Sequence, residues 1–212
     1  VADHHGWGNV GIVHFDAHAD TADILEGNLA SHGTPMRRLI ESGAVQGRHF
    51  VQVGLRGYWP PPEVFAWMQD QGMRWHLMQE IWERGSRAVI EDAISEALDG
   101  ADNLYLSVDI DVLDPGFAPG TGTPEPGGMN PADLLRAVRQ SKGFAIAVDD
   151  DKISSALNEV AREEGLLLCP EGAATYAAYK DSIADGRVSK GDRVMLFNCA
   201  TVLKDPLPNA DR

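Results

Sequence analysis

The chain has 212 residues, 43% of them hydrophobic, and sets 32 Asp and Glu against 18 Lys and Arg for a formal charge of −14. That length can bury a real core, while the charge excludes nucleic-acid binding, which needs clustered Lys and Arg, and favours cationic ligands and divalent ions. Cys169 and Cys199 are too few for a disulfide framework and point to a reducing cytoplasm, and with no signal peptide, transmembrane run or repeat in view no membrane partner is expected.

In chain order, His4 and His5 fall in a solvated turn, and Gly11-Ile12-Val13-His14-Phe15 follows as a short apolar run. Such runs read as strands buried on both faces of a parallel sheet. Residues 35–42 form a short helix, 50–54 a strand, and 61–71 a helix opened by prolines, which are tolerated in a first turn. Trp67, Trp75 and Trp82 are expected to pack cores. Val89, Ile90, Ala93, Ile94, Ala97 and Leu98 make a helical stripe over 87–98 that Gly100 ends, and 104–108 is a second buried strand. Residues 115–128, rich in glycine and proline, have no period and predict a long ordered loop, a kind of connection usually kept for function. Further on, the spacing predicts a helix over 153–164, a buried strand over 166–169, a helix over 173–184 and a strand over 193–197, with 144–148 as a further strand.

Two motifs close the strands at 11–15 and 104–108: Asp16-Ala17-His18-Ala19-Asp20 and Asp109-Ile110-Asp111. If strand geometry persists, alternate side chains share a face, so Asp16, His18 and Asp20 converge, and Asp109 and Asp111 do likewise. Four carboxylates and one imidazole then face one point at the mouth of the sheet, where α/β proteins place chemistry. Unpaired, such groups repel and raise each other's pKa, a conflict that divalent cations remove. Oxygen donors with one imidazole and no thiolate favour Mn²⁺, with Zn²⁺ or Co²⁺ as alternatives. The plainer reading, that each Asp caps a following helix, accounts for one Asp more easily than for five clustered ligands.

From residue 1 to about residue 130 the sequence resembles the ureohydrolases, the arginase and agmatinase family. The matching segments are His14-Phe15-Asp16-Ala17-His18-Ala19-Asp20, Ser31-His32-Gly33-Thr34-Pro35, and Ser107-Val108-Asp109-Ile110-Asp111-Val112-Leu113-Asp114-Pro115, the last continuing from Ala118 through Thr123-Pro124-Glu125-Pro126-Gly127-Gly128. The resemblance implies a three-layer α/β/α fold with a mainly parallel sheet. It also implies a binuclear Mn²⁺ centre that hydrolyses a guanidino compound to urea and an amine. Asp16 and Asp109 would bridge both metals, His18 and Asp111 would complete one shell, and Asp20 would serve the other. His32 matches the family's proton-shuttling histidine, a task suited to an imidazole near neutrality. Asn28 falls in the segment lining the substrate pocket in relatives, and Glu125 is a candidate partner for a cationic substrate. The family's Gly-Gly-Asp-His segment, whose histidine joins Asp20 on its metal, is not in these residues, which makes His4 and His5 candidate substitutes, from the same chain or from a partner.

Residues 141–212 resemble instead the C-terminal end of threonine synthase, through Gly143-Phe144-Ala145-Ile146-Ala147-Val148, Glu164-Gly165-Leu166-Leu167-Leu168-Cys169-Pro170-Glu171-Gly172-Ala173-Ala174-Thr175 and Leu196-Phe197-Asn198-Cys199-Ala200-Thr201. The expected organisation is therefore a truncated metal-binding core over 1–140 and a strand-helix-strand segment over 141–212, packed on the same sheet by a right-handed crossover. Pyridoxal phosphate is not expected, because the Schiff-base lysine and phosphate loop of that family belong to upstream segments. Three functions fit this reading. They are an impaired amidinohydrolase acting on an agmatine-like compound, a promiscuous metal-dependent phosphodiester or phosphotriester hydrolase using an open site, and a non-catalytic metal-binding chimera. A homodimer or larger homo-oligomer is expected, since exposed sheet edges are usually covered.

Overall fold

The computed structural model of the protein describes residues 2–140, 144–189, 191–192, 194 and 196–198. The chain divides after residue 143 into two compact units.

The first unit is built on four parallel strands, β1 (Val10–Phe15), β2 (Phe50–Leu55), β3 (Arg74–Leu77) and β4 (Asn103–Val108), in the order β3-β2-β1-β4. A helical turn, α1 (Ala2–His5), precedes β1, and the crossovers carry α2 (Pro35–Glu41), α3 (Pro62–Asp70), α4 (Met78–Arg84) and α5 (Ser86–Ala97). A further helix, α6 (Pro131–Gln140), follows the long loop. Every residue of β1 and β2 is buried because helices cover both faces. On one face Val13, Phe15, Val51 and Val53 meet Met78 and Ile81 of α4, Val89, Ile90, Ala93 and Ala97 of α5, and Ala137 of α6. On the other, Val10, Ile12, Phe50 and Leu55 meet Ile40 of α2 and Val64 and Met68 of α3. Leu55 shares a face with Phe50 despite the odd spacing because the register shifts next to Gly54, whose φ is +107°. The shift brings the chain after β4 close: a Cβ on Gly54 would lie 2.7 Å from Val112 Cγ2.

Trp67 and Trp75 pack against the second cluster. Trp82 does not belong to the core; it is 63% exposed on α4 and lies against Gly127 of the long loop. The short period of α4 puts Met78 and Ile81 on the sheet and turns Trp82 one position away from it.

The second unit contains α7 (Asp150–Glu163) and α8 (Pro170–Ala184). Asp149 caps α7 by accepting the Lys152 N–H at 2.9 Å, and the pair packs through Ala156, Ala173 and Ala177. Lys180 reaches Glu159 at 2.6 Å and Lys152 reaches Asp181 at 2.7 Å. The helix over 153–164 is thus present, and that over 173–184 begins earlier, at Pro170. The strand expected over 166–169 is absent: apart from an isolated bridge at Leu168 the segment is irregular, with Leu166 and Leu167 57% and 49% exposed. Three successive leucines carry no information about which segment would pair with them, and an apolar run alone does not fix a strand. Residues 144–148 are likewise irregular, and Phe144 is exposed. The strand expected over 193–197 lies partly outside the described residues; Val194, Leu196 and Phe197 are exposed and in no strand. The expected strand-helix-strand unit is, among the described residues, a helix pair.

Helix α5 comes close to the sheet at Gly11 of β1, where an added Cβ would lie 2.1 Å from the Ala97 carbonyl oxygen. Gly11→Ala is expected to force α5 off β1 and lower stability by at least about 1–3 kcal/mol, read as a drop in the urea midpoint with little change in slope.

Candidate metal centre

β1 and β4 are adjacent and in register through Phe15 and Val108, so Asp16 and Asp109 leave the sheet side by side at its C-terminal end. The Asp109 N–H donates to the Phe15 carbonyl at 2.8 Å and the Asp16 N–H to that of Val53 at 3.2 Å, which extends the ladder by one residue. Regular strand geometry stops there. Each aspartate then bonds the backbone two residues on: Asp16 Oδ1 accepts the His18 N–H at 2.6 Å, and Asp109 Oδ1 accepts the Asp111 N–H at 3.0 Å at the start of a 3₁₀ turn over Ile110–Val112. The two turns are stitched together, because the Ala17 N–H donates to Asp111 Oδ1 at 3.1 Å.

These turns, not strand alternation, gather the ligands. His18 Nδ1 lies 3.0 Å from Asp111 Oδ2 and 3.5 Å from Asp16 Oδ1, and one donor atom from each of Asp16, His18 and Asp111 falls within 4.8 Å of the others. Asp20 and Asp109 stand outside that group of three. Asp20 sits at φ +54°, where the chain has already turned away from the strand direction, so the expectation that all five side chains share one strand face is corrected.

The charges are strongly coupled. Bonds from His14 and His18 hold the Asp16 carboxyl well below the usual range against the cost of its burial. Bonds to Asp111 and Asp16 raise His18 to about 10, so without metal its imidazolium is the local counter-ion. Burial, with Asp16 nearby, raises Asp20 to about 7. Asp109 keeps open surface, yet desolvation of its carboxyl raises it too, with Asp16 and Asp111 adding to the effect. The donor set therefore fits a divalent cation, which would relieve the carboxylates that the fold has crowded together.

Arg56, which sequence reasoning missed, holds the surrounding loop. Its guanidinium donates to the carbonyls of Asp111 at 2.6 Å and Glu125 at 2.7 Å, and also to those of Gly54, Val112, Leu113 and Pro126. Asp114 Oδ2 accepts the Gly127 and Gly128 N–H groups at 2.7 and 3.2 Å, and Thr123 Oγ1 donates to Asp111 Oδ2 at 3.0 Å. The expected ordered loop over the site is present, and it brings Glu125 Oε1 to 3.9 Å from His18 Nε2. His32 is exposed, with its Nδ1 3.4 Å from Ser31 Oγ. Asn28 is also exposed and bonds the Glu26 carbonyl at 3.3 Å, so neither residue touches the three-residue cluster. His4 and His5 lie before β1, whereas the centre lies after it; six residues of strand put about 20 Å between them. They cannot complete the site from the same chain. Also missed was His14, whose Nε2 is 3.1 Å from Asp16 Oδ2; the available signal was a polar residue in a strand otherwise apolar on both faces.

A carboxylate-rich centre at the C-terminal mouth of a parallel α/β sheet lies where such folds place their ligands. The family model "Arginase" matches residues 1–154, and the chain belongs to the arginase family. It is 42% identical over 148 residues to the mitochondrial agmatinase of Gallus gallus, covering 69% of this chain and 42% of that protein. It is 44% identical over 142 residues to guanidinopropionase of Pseudomonas aeruginosa, covering 66% and 44%. Among solved structures, formimidoylglutamase from Bacillus subtilis superposes with a TM-score of 0.59 at 33% identity, covering 63% of this chain and 41% of that one. The fold is thus the three-layer, arginase-like α/β fold that the resemblance implied, and the chain spans about two fifths of the length of these relatives.

The raised pKa of Asp20 means that its ionisation opposes folding. The unfolded state releases this proton near pH 3.8 and the folded state near 7, so stability falls across that window. In chelator, Asp20→Asn is expected to match the parent in thermal midpoint at pH 4 and exceed it at pH 8, as followed by circular dichroism; asparagine also tolerates the positive φ.

Proposed function

We propose that residues 1–140 form the metal-binding core of a binuclear, manganese-dependent amidinohydrolase that converts agmatine or a similar guanidino compound to urea and an amine. The observation that carries this reading is the Asp16, His18 and Asp111 cluster, with Asp20 and Asp109 at its border. Asp16 and Asp109 are assigned to both metal positions, His18 and Asp111 to one and Asp20 to the other. When bound, the metal pair supplies Lewis acidity that makes hydroxide available near neutral pH.

The chain's own groups do the rest. Glu125, held beside His18 by Arg56, offers a carboxylate to the cationic guanidinium through charge-assisted bonds. His32 moves a proton to the departing amine, and Asn28 contributes to the rim of the pocket. Residues 141–212, with their resemblance to threonine synthase, are assigned a structural role without pyridoxal phosphate. The working form is taken to be a homodimer, because β4 is an edge strand among the described residues and only half-buried, and a cytoplasmic setting is proposed from the low cysteine content. No described helix is long and apolar enough to cross a membrane. The phosphoester alternative finds no support among the relatives named above and is not carried forward.

The test is urea and amine release by the Mn²⁺-loaded chain from agmatine, guanidinopropionate and guanidinobutyrate. Urea is expected from at least one of them, lost on chelation and at least 100-fold reduced in Asp16→Ala and Asp109→Ala, in line with about 10²-fold or more for removing a charge-stabilising group. No urea from any of the three, or activity indifferent to both substitutions, overturns the proposal.

A further inference from the structure

We infer that His14 and Gln52 form a buried positioning pair that holds Asp16 and the turn from His18 to Asp20 in ligating geometry, an inference that rests on the metal-centre reading above. The two residues face each other in register between β1 and β2 and are 2% and 0% exposed. Polar side chains in strands buried on both faces are costly unless bonded, so their partners carry information.

The bonding has one consistent assignment. A backbone carbonyl can only accept, so the Gln52 atom 2.5 Å from the Ala19 oxygen is the amide nitrogen. The same nitrogen lies 3.5 Å from His14 Nδ1, which then accepts. An imidazole whose Nδ1 accepts carries its proton on Nε2, and Nε2 points at Asp16 Oδ2 from 3.1 Å. This orientation leaves Gln52 Oε1 buried with no partner among the described residues. The reverse orientation would be worse, because it would press an amide oxygen against the Ala19 carbonyl.

A single amide therefore acts on two parts of the site. Through His14 it fixes Asp16 Oδ2, while the His18 N–H fixes Oδ1 at 2.6 Å, so both carboxylate oxygens are aimed before any ion arrives. Through Ala19 it also pins the backbone between the ligands His18 and Asp20. His14 is further braced by an edge-on contact with Phe50, ring centroids 5.8 Å apart. Neither residue needs to touch substrate or metal. Such outer partners hold ligands in place, and their loss commonly lowers metal affinity about 10- to 100-fold.

The test is Mn²⁺ affinity of the full chain, measured by electron paramagnetic resonance of the free ion, for the parent, His14→Phe, His14→Gln and Gln52→Leu. His14→Phe and Gln52→Leu are expected to bind about 10- to 100-fold more weakly with parental circular dichroism, and His14→Gln, which retains an N–H donor, to recover part of the loss. Long-range ¹H–¹⁵N spectra of the metal-free parent should show the His14 proton on Nε2 alone, a signature lost in Gln52→Leu. Parental affinity in either folded variant, or a parent protonated at Nδ1, overturns the pair. Should His14→Phe not fold, Gln52→Leu and the tautomer spectrum decide. A parent that takes up no Mn²⁺ overturns the metal-centre reading itself, while the spectrum still reports on the hydrogen-bond pair.

Discussion

Carboxylates crowded at the ends of two neighbouring strands are the constraint to which the rest of the first unit answers. The parallel register of β1 and β4 sets Asp16 beside Asp109, and burial denies Asp16 the water that would screen it while the Asp109 carboxyl is partly desolvated. Such a cluster survives only where the surrounding structure fixes it, since isolated side chains would swing apart into solvent. The strands that end in these residues are buried along their whole length by helices on either side. Closely packed interiors do not relax continuously, so this packing turns an unfavourable charge arrangement into a stable geometry.

Irregular backbone around the site is ordered by polar groups instead of a core. Arg56 follows β2 directly, and its fork of N–H groups collects carbonyls from both ends of the loop, at Asp111 and at Glu125. Asp114 performs the complementary task, collecting N–H groups at Gly127 and Gly128. One cation and one anion thus satisfy backbone that has no ladder partner, and unsatisfied backbone is what normally keeps long loops mobile. Packing supports the same arrangement: Gly127 passes under Trp82 at positive φ, and Gly128 lies against Arg56 and Asp114, where a Cβ would not fit.

What was legible in the sequence was what depends on neighbours along the chain. The helical stripe from Val89 to Ala97 and the apolar strand at 10–15 encode their own burial, and both are found where the pattern placed them. The Asp-x-His and Asp-x-Asp spacings were informative for a reason other than strand alternation: a carboxylate two residues before a backbone N–H closes a tight turn. Arg56 and the pairing of His14 with Gln52 were invisible because they depend on which strand lies beside which. Leu166-Leu167-Leu168-Cys169 failed for a related reason, since apolar character alone names no partner strand. The two histidines before β1 show topology overruling composition, because the ligand type is right and the end of the strand is wrong.

Charge bookkeeping also explains why the two sides of the centre differ. In the metal-free protein the positive charge near Asp16 and Asp111 is the His18 imidazolium, so a cation arriving there replaces a proton on a group that is already in place. Asp20 lies outside the group of three, and burial, with Asp16 and Asp109 nearby, raises its carboxyl to about 7 although His14 and His18 act in the other direction. A first ion held by Asp16, His18 and Asp111 would reverse the sign of the field at Asp20 and Asp109 and favour the ionised form of both. The side where backbone and side-chain bonds already hold Asp16, His18 and Asp111 together would therefore be the natural first position. A second position would rest on Asp20, whose carboxyl ionises at higher pH than an ordinary aspartate, so the asymmetry of the proposed centre follows from where each aspartate's counter-charge comes from.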